Sequence, residues 1–268
     1  MANYHSDEWI LSKLQGHYDE ALNYFPEDRI VGIFLQGSQN YGLDVAGSDI
    51  DTKLIVVPTF EEIAFNKKPV STTHIRANEE HIDFKDIRLY MQTFRKQNLN
   101  FLEILFTPYK IVNPLYEKEW DCLIAFRENI ARANMFRGVK SMKGIAMEKY
   151  HALKHPYPSK IEILGRYGYD PKQAHHLFRI EEYLVRYIKG DSYIDCLSPK
   201  SADFLLEVKE GKFDLEWIES KAEQSINHII DIADKFCQEN QDVFDPKVDA
   251  LLNDVQLEIM RLSMKGEF

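Results

Sequence analysis

Residues Phe34 to Val57 read FLQGSQNYGLDVAGSDIDTKLIVV. A short apolar run meets Gly37 and Ser38, a polar stretch follows, and Asp49 and Asp51 stand at the head of a second apolar run. Residues i and i+2 of a strand project to the same side. The two carboxylates therefore share one face, while Ile50, Leu54 and Val56, joined by Thr52, turn to a core on the other. Like charges held so close repel unless a cation lies between them. Carboxylate oxygens are hard ligands that suit Mg²⁺ or Mn²⁺, and Mg²⁺ keeps several waters and recruits substrate phosphates to complete its octahedron. A polar strand end on a loop is the plainer explanation, and the D-x-D pair alone does not choose. The glycine and serine add weight. Glycine lets backbone approach a ligand closely, and a turn after a buried strand can aim N–H groups and the Ser38 hydroxyl at an anion. Strand, Gly-Ser turn, loop and paired aspartates together make a layout for holding a nucleoside triphosphate (NTP), such as ATP, and its metal.

The flanking sequence supplies the scaffold. Ile10, Leu11, Leu14, Tyr18, Leu22 and Phe25 recur at steps of three and four, which predicts an amphipathic helix from Asp7 to Phe25, ended by Pro26. Arg29 to Gly37 and Asp49 to Pro58 read as buried strands. His81 to Phe94 starts as a strand and turns helical, and Asn100 to Pro108 is a short helix. After about Asn113 the strand signal fades. Helical spacing then runs through Met135–Leu153, Leu177–Ile188 and Val248–Leu262, with loops at 155–171 and 189–200. The expected fold class is α/β: a small mixed sheet with flanking helices over 1–112, followed by an all-α helical domain over 113–268.

Composition narrows the class. The chain has 268 residues, 44% hydrophobic and 28% charged, with a net charge of −10. That balance argues against a protein coated in nucleic acid but not against a local basic groove. Such a groove has a candidate, because Ala131–Arg179 holds ten Lys or Arg against three Asp or Glu. Cys122, Cys196 and Cys237 show no metal spacing and read as reduced thiols of a cytoplasmic protein. The mixed-charge N-terminus is no secretory signal, and no apolar run reaches the ~20 residues that span a bilayer.

The run GSQNYGLDVAGSDID resembles the signature of the DNA polymerase β-like nucleotidyltransferase superfamily: a Gly-Ser after a strand, a spacer, then two alternating carboxylates. Within it the chain is similar to a family of predicted bacterial and phage nucleotidyltransferases. That family's helix after the sheet is matched by NLNFLEILFTP, Asn98 to Pro108, with Leu99 where the family has proline. A later motif is matched by DPKQAHHLFR, through Asp170, Lys172, Ala174, His176, Leu177 and Arg179. The resemblance spans about residues 30–190. It implies a third metal-binding carboxylate on a later strand, for which Asp83, flanked by Ile82 and Phe84, is the choice and Asp86 the rival.

The expected reaction moves a nucleoside monophosphate from an NTP to an acceptor hydroxyl, with release of pyrophosphate. Asp49, Asp51 and Asp83 hold two metal ions, and Gly37 and Ser38 grip the β- and γ-phosphates. Lys172, His176 and Arg179 fall on one helical face and contact the triphosphate. An RNA end is the leading acceptor. A protein hydroxyl (an AMPylating enzyme) or a small molecule is the alternative, and a nucleotide-binding module without turnover is the non-enzymatic rival. The sequence is silent on oligomeric state and on the helices after Ser198.

Overall fold

The computed structural model describes residues 3–265. In chain order the first elements are α1 (Asp7–Ala21), β1 (Ile30–Gln36), β2 (Asp51–Val56), α2 (Phe60–Ala64), β3 (Ser71–Ile75) and β4 (His81–Asp86). Then come α3 (Ile87–Arg95), α4 (Leu99–Leu102), β5 (Lys110–Val112), α5 (Glu117–Ala125) and α6 (Arg127–Ala131). The remainder is helical: α7 (Met135–Ala152), α8 (Ile161–Tyr167), α9 (Pro171–Lys189), α10 (Tyr193–Leu197), α11 (Ala202–Lys209), α12 (Leu215–Glu239) and α13 (Pro246–Met264). The expected mixed sheet with flanking helices and a helical second part is present. No helix among the described residues is long and apolar enough to cross a membrane.

The chain divides into two compact units, residues 1–134 with 244–268, and Met135–Val243. The division expected at 112/113 therefore falls elsewhere, for a packing reason. In the first unit Phe34 of β1 lays its ring against Trp120 of α5, centroids 4.2 Å apart. The Arg95 guanidinium of α3 reaches Asp249 of α13 at 2.6 Å and Asn253 at 2.8 Å. The segment after Asn113 and the last helix thus complete the unit that holds the sheet.

The sheet runs β3-β4-β2-β1-β5. β2 and β4 are parallel, and every other neighbouring pair is antiparallel. One face is dry: Ile10, Leu14 and Ala21 of α1 pack on Ile33, Leu35, Leu54, Val56, Ile82 and Phe84. Ile50 and Thr52 are buried on that side as expected. α1 stops at Ala21, one turn before Pro26, with Leu22 and Tyr24 left exposed. β3 and β5 are additions to the expected strands; β3 is an edge strand with no buried residue.

Thr52 is a hydroxyl in an apolar layer, and α1 supplies its partner. His17 Nδ1 lies 2.9 Å from Thr52 Oγ1, and His17 Nε2 lies 2.9 Å from Glu80 Oε2. Burial drives the imidazole below its ordinary range, against the pull of Glu80. The neutral ring then donates from Nε2 to the carboxylate and accepts the threonine proton at Nδ1. Glu80 also receives Lys13 and Arg76. Burial pushes its carboxyl up, but the bonds to His17 and Asn78 and the Lys13 charge outweigh that and hold it at about 2.

In the second unit α9 is the central helix, packed by α7, α10, α11 and α12. The regions expected as loops at 155–171 and 189–200 each contain a short helix, α8 and α10. The three cysteines are free thiols.

The Glu80 pKa lies below the ordinary 4.5, so the unfolded chain binds its proton first as pH falls. The stability it contributes is present above pH 4.5 and lost on the way down to about pH 2, an effect of order 3 kcal/mol. The depressed His17 pKa acts in the same direction below 6.5. Glu80→Gln is expected to lower the melting temperature at neutral pH and to flatten its decline between pH 4.5 and 2. Parallel melting curves for wild type and variant across that window would contradict this.

Candidate functional site

Antiparallel pairing brings the end of β1 and the start of β2 together at one end of the sheet, with Gln36 opposite Asp51. The Gly37-Ser38 turn and the two aspartates consequently meet at one place. Asp49 lies just before β2 and is exposed; Asp51 opens the strand and is half-buried. The loop between them is tied down. Gln39 Nε2 donates to the Asp49 carbonyl at 2.8 Å, and Asp44 accepts from the backbone N–H groups of Tyr4 and His5.

β4 runs parallel to β2, and the register sets Lys53 opposite Asp83. Alternation then places Asp51, Lys53 and Asp83 on the face turned away from α1. The Asp51 carboxylate accepts from the His81 N–H at 3.1 Å, with the ring Nδ1 at 3.2 Å. Lys53 Nζ donates to Asp83 Oδ2 at 3.1 Å. The lysine side chain is only 6% exposed and Asp83 is 23% exposed. Burial lowers the Lys53 pKa and the Asp83 charge partly restores it. The Lys53 ammonium sits 4.2 Å from the centroid of Phe101, and Lys85 sits 4.7 Å from the same ring. Tyr90, wholly buried, meets Phe101 edge-on at 5.5 Å.

Asp86, the rival third carboxylate, is spent elsewhere. It caps α3, accepting from the Arg88 N–H at 2.8 Å and gripping the Arg88 guanidinium at 2.9 and 2.7 Å. Asp83 alone of the two shares a face with Asp51.

Gly37 has φ 117° and ψ −163°, a region open essentially to glycine alone. Its N–H donates to Glu103 Oε1 at 3.0 Å, and the same oxygen receives Asn40 Nδ2 at 2.7 Å. The Gly37 N–H is thus engaged by a buried carboxylate. Asn40 also donates to the Leu35 carbonyl and accepts from Thr107 Oγ1. Glu103, His81 and Lys53 are site residues that the sequence expectation missed. Glu103 lay in the matched motif NLNFLEILFTP, and Lys53 was visible as a lone cation inside an apolar run.

Among the described residues no three His, Cys, Asp or Glu side chains gather as a ligand set. The donor chemistry nonetheless suits a hard cation. Asp49 and Asp51 offer two carboxylates, and Mg²⁺ is commonly held by one or two, with substrate phosphates and water completing the shell.

Lys172, His176 and Arg179 belong to the second unit, on α9. Along that helix Lys172 is exposed, His176 is half-buried and Arg179 is buried. The reason is the central position of α9. Burial first, then neighbouring His175, Arg179, Lys149 and Lys172, pushes His176 well below its ordinary range. Asp170 of the same motif caps the helix, accepting from the Lys172 N–H. Glu181 and Glu182 pair with other groups, His228 and Arg186.

No family model matches the chain, and no curated protein matches it. A solved structure of a nucleotidyltransferase-like protein from Exiguobacterium sibiricum 255-15 is similar, with 10% identity and a TM-score of 0.31. The match covers 94% of this chain and 89% of that one.

A Cβ on Gly37 would meet nothing closer than Gln39 Oε1 at 3.5 Å, so its cost is conformational and not steric. Gly37→Ala is expected to destabilise the first unit by about 1–3 kcal/mol. Denaturant titration checks this; an unchanged unfolding free energy would show that the turn tolerates a side chain.

Proposed function

We propose that this chain is a metal-dependent nucleotidyltransferase that moves a nucleoside monophosphate from an NTP to an acceptor hydroxyl and releases pyrophosphate. The observation that carries the reading is the meeting of Asp49 and Asp51 with the Gly37-Ser38 turn at one end of the sheet, with Asp83 on the same face of the neighbouring strand as Asp51. Asp49 and Asp51 would hold the divalent ion. When bound, Mg²⁺ offsets phosphate charge and polarises the phosphoryl group under attack. The chain's own part is orientation. His81 fixes Asp51, Lys53 fixes Asp83, and Glu103 with Asn40 fixes the backbone that leads into Ser38. Ser38 opens a single helical turn at that end of the sheet, where its hydroxyl can meet phosphate oxygen.

RNA is the acceptor we favour, on the strength of the basic window between Ala131 and Arg179. The test is incubation with each α-labelled NTP, Mg²⁺, and total RNA or lysate. Label on RNA supports this acceptor, whereas label on protein or on a small molecule replaces it. Labelling of none, with nucleotide still bound, would leave a binding module.

Asp49→Ala and Asp51→Ala are each expected to abolish transfer while leaving the melting temperature within a few degrees of wild type. Neither side chain is buried, and removing a carboxylate relieves repulsion in the metal-free protein. Full activity in either variant would remove that residue from the site.

A further inference from the structure

We propose that Lys53 takes the place of a second metal ion, so that the site binds one divalent cation, on Asp49 and Asp51, and leaves Asp83 to the lysine. This rests on the nucleotidyl-transfer reading above and revises the two ions expected from the sequence.

Four observations converge on it. The Lys53 ammonium lies 3.1 Å from Asp83 Oδ2, within contact distance for a charge-assisted bond. The pair is built into the sheet, because the two residues are direct partners in the β2–β4 register. The ammonium is also seated against the Phe101 ring at 4.2 Å, and that ring is held edge-on by buried Tyr90. Finally, no three potential ligands gather among the described residues, so Asp83 is not drawn up with Asp49 and Asp51 as a tripod.

A divalent ion on Asp83 would therefore have to settle beside a buried ammonium or expel it from its aromatic seat. Like-charge repulsion opposes the first, and the loss of a cation–π contact and of the ion pair opposes the second. A cation that needs only one or two carboxylates has no such obstacle at Asp49 and Asp51. Lys53 is on this account a positioning residue. It holds the Asp83 carboxylate in place and offsets its charge, which a metal would otherwise do.

The experiment is equilibrium dialysis of the full chain against Mn²⁺ and a non-hydrolysable ATP analogue, counting Mn²⁺ and nucleotide per chain above a protein-free control. Wild type is expected to hold one Mn²⁺ per bound nucleotide. Lys53→Met, which keeps the stem and removes the charge, is expected to hold two. Asp83→Asn is expected to hold one, with affinity within about twofold of wild type, and it decides the matter should Lys53→Met fail to fold by circular dichroism. Two Mn²⁺ in wild type, one in folded Lys53→Met, or loss of an ion in Asp83→Asn would each overturn the inference while leaving nucleotidyl transfer standing. Wild type that retains neither nucleotide nor Mn²⁺ would overturn the underlying reading instead.

Discussion

β2 buries a polar group on each of its faces, and the first unit is arranged around satisfying both. On the α1 side the Thr52 hydroxyl meets His17, which is anchored by Glu80. On the other side the Lys53 ammonium meets Asp83. A one-residue slip would turn Lys53 and Asp51 into the layer of Leu14, Ile33 and Leu54, and would carry Leu54 out of it. Burying an unpaired ammonium there costs several kcal/mol. The register of β2 is thus specified by two polar contacts that exist only in one alignment. That same register puts Asp51 opposite Gln36 and so delivers the Gly-Ser turn to the aspartates.

The turn itself is held from beneath. Glu103 is buried, and one of its oxygens accepts from both the Gly37 N–H and Asn40. Asn40 in turn bridges the Leu35 carbonyl and Thr107. The result links the end of β1, the helical turn at Ser38 and the segment leading to β5. A loop with a glycine in a strained region stays in one conformation only if its surroundings hold it there, and this network is what does so.

Much of this was legible in the sequence, because its signals are strong ones. Short apolar runs located β1 and β2, and D-x-D with a preceding Gly-Ser located the end of the sheet where they meet. The switch from strand to helix within His81–Phe94 is visible as β4 and α3. What escaped has physical causes. β3 is a polar edge strand with no buried residue, so it lacks a period, and β5 is three residues long. α12 went unlocated although Ile218, Ala222, Ser225, Ile226, Ile229 and Ala233 line its buried face at helical spacing. The placement of α13 in the first unit depends on tertiary partners such as Arg95, 154 residues away from Asp249. Choosing between Asp83 and Asp86 likewise required the register, since both lie on one short strand.

Positive charge reads differently from composition and from structure. Counting Lys and Arg in a window singled out Ala131–Arg179, and with it Lys172 and Arg179 of α9. A window weights every cation alike, whereas the influence of a charge depends on the medium around it. An exposed lysine such as Lys172 is screened by water and salt within about 10 Å. A buried ammonium acts through a lower effective dielectric, which raises the interaction several-fold at the same distance. Lys53 is one residue in a strand that reads as apolar, yet it is buried beside Asp83 and two positions from Asp51. The charge that matters to the carboxylates is therefore the one that composition is least able to reveal.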